Sequence, residues 1–170
     1  MCGILGYISK KSIDKQSLQI ATNAIQHRGP DAQGFFYNDE NTVAFAHRRL
    51  SILDLSAAAN QPFTSSCGRY IIIYNGELYN FNEIKNKYQI QAKTNSDTEI
   101  IIEAFAKIGT KVFHQLNGMF AFAIYDKQTK KIFLCRDRLG IKPLFFYQDE
   151  QVFVFASELK AITKINGLDF

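Results

Sequence analysis

The chain opens Met1-Cys2-Gly3-Ile4. Loss of the initiator methionine would make Cys2 the first residue, with a thiol and a free α-amine on the same residue. A thiolate is a strong nucleophile, and an α-amine titrates at about 7.7–8.0, where a general base is useful. An N-terminal cysteine therefore carries nucleophile and base together. The plain alternative is an ordinary residue at a frayed terminus. The remaining polar clusters have to decide between the two.

Four clusters bear on that choice. In His47-Arg48-Arg49-Leu50-Ser51-Ile52, Arg49 could clamp a carboxylate through its planar fork of donors, or it could sit on a solvated face. Asn75-Gly76-Glu77 follows an isoleucine-rich run, and Asn-Gly is the strongest short hairpin signal. The same pair can supply a side-chain amide and an unhindered backbone N–H to an oxyanion. Asp97 opens a helix, where a carboxylate is favourable from the dipole alone; it could instead hold an ammonium group. His27-Arg28-Gly29-Pro30-Asp31 reads as a helix stop with its loop, and the run from Arg136 to Pro143 as an ion-pair loop or a binding loop.

Composition removes several classes. With 46% hydrophobic and 21% charged residues over 170 positions, the chain suits one soluble globular domain. The net charge of +4 is scattered, and no basic run exceeds a pair such as Lys10-Lys11, so no nucleic-acid partner is inferred. Three cysteines without a CxxC or His/Cys cluster argue against a disulfide framework and a zinc site, and fit a cytoplasmic setting. No signal peptide is evident, and no apolar run approaches the about 18 residues of a membrane span.

Certain elements must position these groups. Residues 4–9 read as a strand, tying the N-terminus into a sheet. Leu18, Ala21 and Ile25 give helical spacing over residues 14–26, stopped by Gly29-Pro30. Short strands are expected at 34–37, 42–47, 50–53 and 69–74, and a helix from about 81 to 88. Ser96-Asp97-Thr98-Glu99 matches a capping box and begins a helix that ends at Gly109, followed by a short helix at 111–116. In residues 118–126, Phe120, Phe122 and Ile124 alternate with Met119, Ala121, Ala123 and Tyr125, so this strand is buried on both faces. Strands at 131–136, 144–147 and 152–156 and a helix from Ser157 complete the pattern. Two packed sheets with helices outside would explain it. The final Asn166-Gly167-Leu168-Asp169-Phe170 lacks a closing motif, as if cut from a longer chain.

Taken in order, Met1-Cys2-Gly3-Ile4, His27-Arg28-Gly29-Pro30-Asp31, Arg49-Leu50-Ser51-Ile52-Leu53-Asp54, Gln61-Pro62, Asn75-Gly76-Glu77-Leu78-Tyr79-Asn80, Ser96-Asp97-Thr98-Glu99, Gly118-Met119-Phe120-Ala121-Phe122, Arg136-Asp137-Arg138-Leu139-Gly140 and Ser157-Glu158-Leu159-Lys160 closely resemble the glutamine amidotransferase domain of glutamine-hydrolysing asparagine synthetases. The resemblance covers almost the whole chain. It implies an N-terminal nucleophile hydrolase with an α+β, four-layer αββα sandwich of two mainly antiparallel sheets flanked by helices. It implies that Cys2 attacks the side-chain amide of L-glutamine while its α-amine relays the proton. Asn75 and the Gly76 N–H would stabilise the oxyanion. Arg49 would hold the substrate carboxylate and Asp97 its ammonium, with Leu50, Ser51, Ile52, Leu53 and Glu77 lining the pocket. No metal or cofactor is implied for this domain. ATP and magnesium belong to the synthetase domain, which activates aspartate in the family and has no counterpart in these residues.

Other readings stay open on sequence. The ammonia could serve another acceptor. The chain could be a catalytically silent domain for glutamine sensing or assembly, a state that retained Met1 would favour. A self-processing hydrolase is disfavoured, because only one methionine precedes Cys2. A homodimer is open as well.

Overall fold

The computed structural model describes residues 1–52 and 54–169. In chain order the elements are β1 (Gly3–Ser9), α1 (Lys15–Ala24), β2 (Ala32–Tyr37), β3 (Val43–Arg49), β4 (Phe63–Thr64), β5 (Tyr70–Leu78), α2 (Phe81–Lys87), α3 (Asp97–Ile108), β6 (Gly118–Asp126), β7 (Lys131–Arg136), β8 (Phe145–Gln148), β9 (Val152–Ala156) and α4 (Leu159–Ile162). Short 3-10 turns lie at Gln26–Arg28, Ala57–Ala59 and Gly109–Gln115.

Two antiparallel sheets form, a five-stranded one ordered β2-β3-β1-β9-β8 and a four-stranded one ordered β4-β5-β6-β7. The alternation within β6 shows why they stack. Phe120, Phe122 and Ile124 meet Ile100, Ile101 and Phe105 of α3 on the outer face. Ala121, Ala123 and Tyr125 point the other way, against Ile4, Phe45 and Phe155 of the first sheet. Fully burying a side chain such as Phe45 or Phe155 is worth about 1.5–3 kcal/mol, so the inter-sheet layer contributes strongly to holding the two sheets together. The outer face of the five-stranded sheet is covered by Leu18, Ala21 and Ile25 from the α1 segment and by Ile162 of α4. Helix, sheet, sheet and helix make the four-layer αββα arrangement.

Several local elements differ from what the sequence pattern predicts. Leu50 to Ile52 form a loop rather than a strand, because β3 already ends at Arg49; Leu53 lies outside the described residues. The Asn75-Gly76 turn does not form. Both residues continue β5 through Leu78, and β6 pairs with them in regular register. The capping box is half made: Ser96 Oγ accepts from the Thr98 N–H at 3.2 Å, but Glu99 turns away to accept from the Lys93 N–H at 3.0 Å and the Thr94 N–H at 2.7 Å. The helix after residue 110 is a 3-10 turn, Gly109–Gln115. Among the described residues, no helix is long and apolar enough to cross a membrane.

Candidate active site

The N-terminus is anchored, because β1 is the central strand of its sheet, paired with β3 on one side and β9 on the other. Ser157, just past β9, closes the end of that pairing: its N–H donates to the Ile4 carbonyl at 2.9 Å, and its Oγ accepts from the Ile4 N–H at 3.0 Å. Arg28 Nε donates to the Cys2 carbonyl at 2.9 Å, and its Nη1 pairs with Glu158 at 3.0 Å. Glu158 also meets His27 at 2.9 Å and Lys160 at 3.1 Å. Partial burial would raise its carboxyl, but these three cationic or donor neighbours bring it down to about 2. The two motifs read as a helix stop and a helix start therefore meet behind Cys2 and hold its backbone. Asp31 does the same for the adjoining loop, accepting from the Ser51 N–H at 2.8 Å.

The thiol sits against that loop. Cys2 Sγ is 3.4 Å from the Leu50 nitrogen, which donates to it, and 3.6 Å from the Leu50 carbonyl. Burial pushes the thiol above its ordinary range; the Leu50 contact, the terminal ammonium and Arg49 pull the other way.

Facing it across the sandwich is the end of β5. Ile71 and Ile73 point between the sheets, and strand alternation puts Asn75 and Glu77 on that same face. Asn75 is 1% exposed, yet among the described residues its Nδ2 has no hydrogen-bond partner. Among the described residues, its neighbour Gly76 also presents a donor that no other group takes up. The Tyr74 N–H bonds Gln61 Oε1 at 2.6 Å and the Leu78 N–H bonds Asp97 Oδ2 at 2.9 Å, both on the edge of β5 away from β6. Antiparallel alternation places the Gly76 N–H on that edge, between them. A Cβ on Gly76 would lie 2.5 Å from the Met119 carbonyl oxygen and 2.8 Å from Phe120 Cα, so the close approach of β6 requires glycine here. His47, buried and held neutral by that burial with its ring pushed down to about 4, bridges the sheets by donating from Nε2 to the Tyr74 carbonyl at 3.1 Å.

Two opposite charges complete the site. Arg49 gives both Nη1 hydrogens to the Ser56 carbonyl and Asn60 Oδ1, each at 2.7 Å, and one Nη2 hydrogen to the Asp54 carbonyl. Among the described residues this leaves Nε–H and one Nη2–H without a partner, two donors of a fork that suits a carboxylate. Asp97, at the start of α3, is buried, and burial raises its carboxyl. The Leu78 N–H and the Tyr74 hydroxyl, the latter at 2.8 Å, both bind Oδ2 and counter that rise. The Thr98 N–H adds to that effect, and among the described residues Oδ1 has no side-chain partner, which leaves it to a ligand.

One cavity of about 170 Å³ is lined by Cys2, Arg49, Leu50, Ile52, Asn75, Gly76, Glu77 and Asp97 together. Of the site residues expected from sequence, Ser51 is not among its lining; its N–H donates to Asp31 at the loop. Sequence reasoning missed Tyr74, Gln61 and Lys142. Tyr74 and Gln61 act through hydrogen bonds to Asp97 and to β5, which no local pattern reveals. Lys142 belongs to the 136–143 segment, where the ion-pair reading fails. Asp137 there accepts from the N–H groups of Phe120, Leu139, Ile141 and Lys142, at 2.9–3.2 Å, and holds a backbone nest rather than an arginine.

A family model described as glutamine amidotransferase domain matches residues 1–170. A putative glutamine-hydrolysing asparagine synthetase 2 of Methanocaldococcus jannaschii is 40% identical, over 99% of this chain and 36% of the relative. The glutamine-hydrolysing asparagine synthetase 2 of Bacillus subtilis is also 40% identical, over 95% of the chain and 22% of the relative. The chain thus spans roughly a fifth to a third of the length of these curated relatives. Among solved structures, glutamine phosphoribosylpyrophosphate amidotransferase from B. subtilis superposes with a TM-score of 0.83 at 21% identity, covering 96% of this chain and 43% of that one. At that identity the likeness speaks for the fold.

Proposed function

The chain belongs to the glutamine amidotransferase domain family, and from that premise we propose that it hydrolyses the side-chain amide of L-glutamine through Cys2. The observation that carries this reading is the meeting, in one cavity, of a thiol, an unpartnered buried amide donor, a free guanidinium edge and a free carboxylate oxygen. Glutamine offers the complement of each. Its α-carboxylate suits Arg49, its α-ammonium suits Asp97 Oδ1, and its side chain reaches toward Cys2.

In this reading Met1 is removed and the freed α-amine of Cys2 accepts the thiol proton. Sγ then forms a bond to the amide carbon, and the carbonyl oxygen becomes an oxyanion held by Asn75 Nδ2 and the Gly76 N–H. As the intermediate collapses, the C–N bond breaks and the α-ammonium gives its proton to the leaving nitrogen, so ammonia departs and a glutamyl thioester remains. Water adds to the thioester with the amine again as base, releasing glutamate and the thiol.

The longer relatives support a second part of the proposal. Residues 1–170 act as the glutaminase half of a longer protein, joined to a synthetase domain that would use ATP and magnesium and spend the ammonia on an amide product, asparagine first among candidates. No cofactor is needed for the half described. Three unpaired cysteines suit a reducing, cytoplasmic compartment. A silent state has its own structural basis: while Met1 is attached, Cys2 has no free amine, and the methionine side chain itself lines the cavity.

The test is glutamate release from glutamine by the purified chain, with intact-mass measurement of its N-terminus. The Met1-free wild type should turn over, and Cys2→Ala should not. Equal release by the two would overturn the reading.

A further inference from the structure

Lys142 has surroundings unusual for a lysine. It is 5% exposed, lines the active-site cavity, and among the described residues forms no ion pair. Among the described residues its Nζ has one hydrogen-bond partner, the thioether sulfur of Met1 at 3.1 Å. Its backbone is fixed: the N–H binds Asp137 Oδ2 at 3.0 Å, and the carbonyl accepts from Arg136 Nε at 2.7 Å. An ammonium group that is buried and unpaired is costly and calls for an explanation. Removal of Met1 takes away that one contact and leaves the charge facing the space where the new α-amine stands.

We propose that Lys142 tunes the nucleophile: its fixed positive charge disfavours protonation of the Cys2 α-amine and so keeps that amine a free base, ready to take the thiol proton. This rests on the proposed role of Cys2. Five bonds separate Cys2 N from the Met1 sulfur, so Nζ lies within roughly 9 Å of the amine. The other charged or titratable groups around the amine are the Cys2 thiol, Arg28 with Glu158 behind the peptide, Arg49 beyond the loop, and Asp54, Tyr74, Glu77 and Asp97 across the cavity. Arg28 is matched by Glu158. Tyr74 is held neutral by burial, Asp97 offers one oxygen to substrate, and Glu77 is exposed to screening solvent. Lys142 is the cation on the Met1 side without a carboxylate of its own.

A unit charge at this distance, partly screened, displaces the amine's titration by roughly 0.5–1.5 pH units. Amine and thiol titrate as a coupled pair, so both limbs of the kcat/KM profile are affected. Lys142→Met keeps the stem and removes the charge; Lys142→Arg keeps the charge. The profile of Lys142→Met should move alkaline on both limbs by that amount, lowering glutamate release one unit below the wild-type acid limb by roughly 3–30-fold. Lys142→Arg should restore the wild-type limbs. Titration of the 15N-labelled α-amine by NMR reads the same shift without turnover. If Lys142→Met does not fold, Lys142→Gln takes its place. A limb and an amine titration unmoved in the neutral variant, or moved equally in Lys142→Arg, overturn the proposal. If the processed wild type releases no glutamate, the Cys2 reading fails, while the amine titration still decides on Lys142.

Discussion

Asn75→Ala separates catalysis from stability at a single buried side chain. Asn75 is buried, and among the described residues its Nδ2 has no hydrogen-bond partner. Leaving such a donor unpaired costs about 1–3 kcal/mol. Truncation to alanine removes that penalty and opens a void of roughly 40 Å³, which costs about 1 kcal/mol at about 24 cal/mol per Å³. The two nearly offset, so stability should stay the same or rise by up to about 2 kcal/mol, equivalent to about 0–8 °C in Tm for a domain of this size. Catalysis should suffer heavily, because one of the two proposed oxyanion donors is gone. Loss of such a donor lowers kcat by about 10²–10³-fold, or about 2.7–4 kcal/mol. Glutamate release gives kcat, thermal unfolding gives stability, and iodoacetamide labelling confirms that Cys2 remains reactive. A variant destabilised by more than about 2 kcal/mol would show that Asn75 holds the sheet together, contrary to the assignment of its free amide to substrate. A kcat within threefold of wild type would refute the oxyanion role outright.

Tyr74→Phe removes the hydroxyl donor from Asp97 Oδ2, and hydrogen bonds to a charged group are worth about 1.5–3 kcal/mol. KM for glutamine should rise roughly tenfold or more while kcat changes little; a pure kcat effect would contradict the positioning role. Burial raises the Asp97 carboxyl, so it should lose its charge, and with it the grip on the substrate ammonium, at a higher pH than an ordinary aspartate does. Glutamine affinity, followed by calorimetry on Cys2→Ala, should therefore weaken already above about pH 4 as the solution is acidified. Glu158 has the opposite sign. Its folded-state carboxyl titrates at about 2, below the unfolded value, so its stabilisation is present above about pH 4.5 and lost as pH falls toward 2. Glu158→Gln should cost about 1–3 kcal/mol in urea unfolding at pH 7, with the gap from wild type closing by about pH 2.

The elements were legible where a period ran long enough. The alternation in β6 announced two apolar faces, and Phe120 and Phe122 separate from Ala121 and Ala123 as that pattern requires. The polar loops were harder to read, because their residues are held by partners far away in sequence. Arg28 reaches the Cys2 carbonyl and Glu158, 130 positions on, and nothing in His27-Arg28-Gly29-Pro30-Asp31 alone states that. Asn75-Gly76 illustrates the limit from the other side. The dipeptide that favours a two-residue turn also favours a strand end where a neighbouring backbone comes close, and only the Met119 carbonyl, 2.5 Å from where a Cβ would sit, distinguishes the two. The consequence is physical. β6 presses on Gly76 where β5 turns its N–H away from β6, so the packing that stabilises the sandwich also fixes the proposed oxyanion donor. Gly76→Ala should therefore lose stability and activity together, where Asn75→Ala loses activity alone. That contrast, measured on one protein with the same two assays, distinguishes a donor set by the backbone from one set by a side chain.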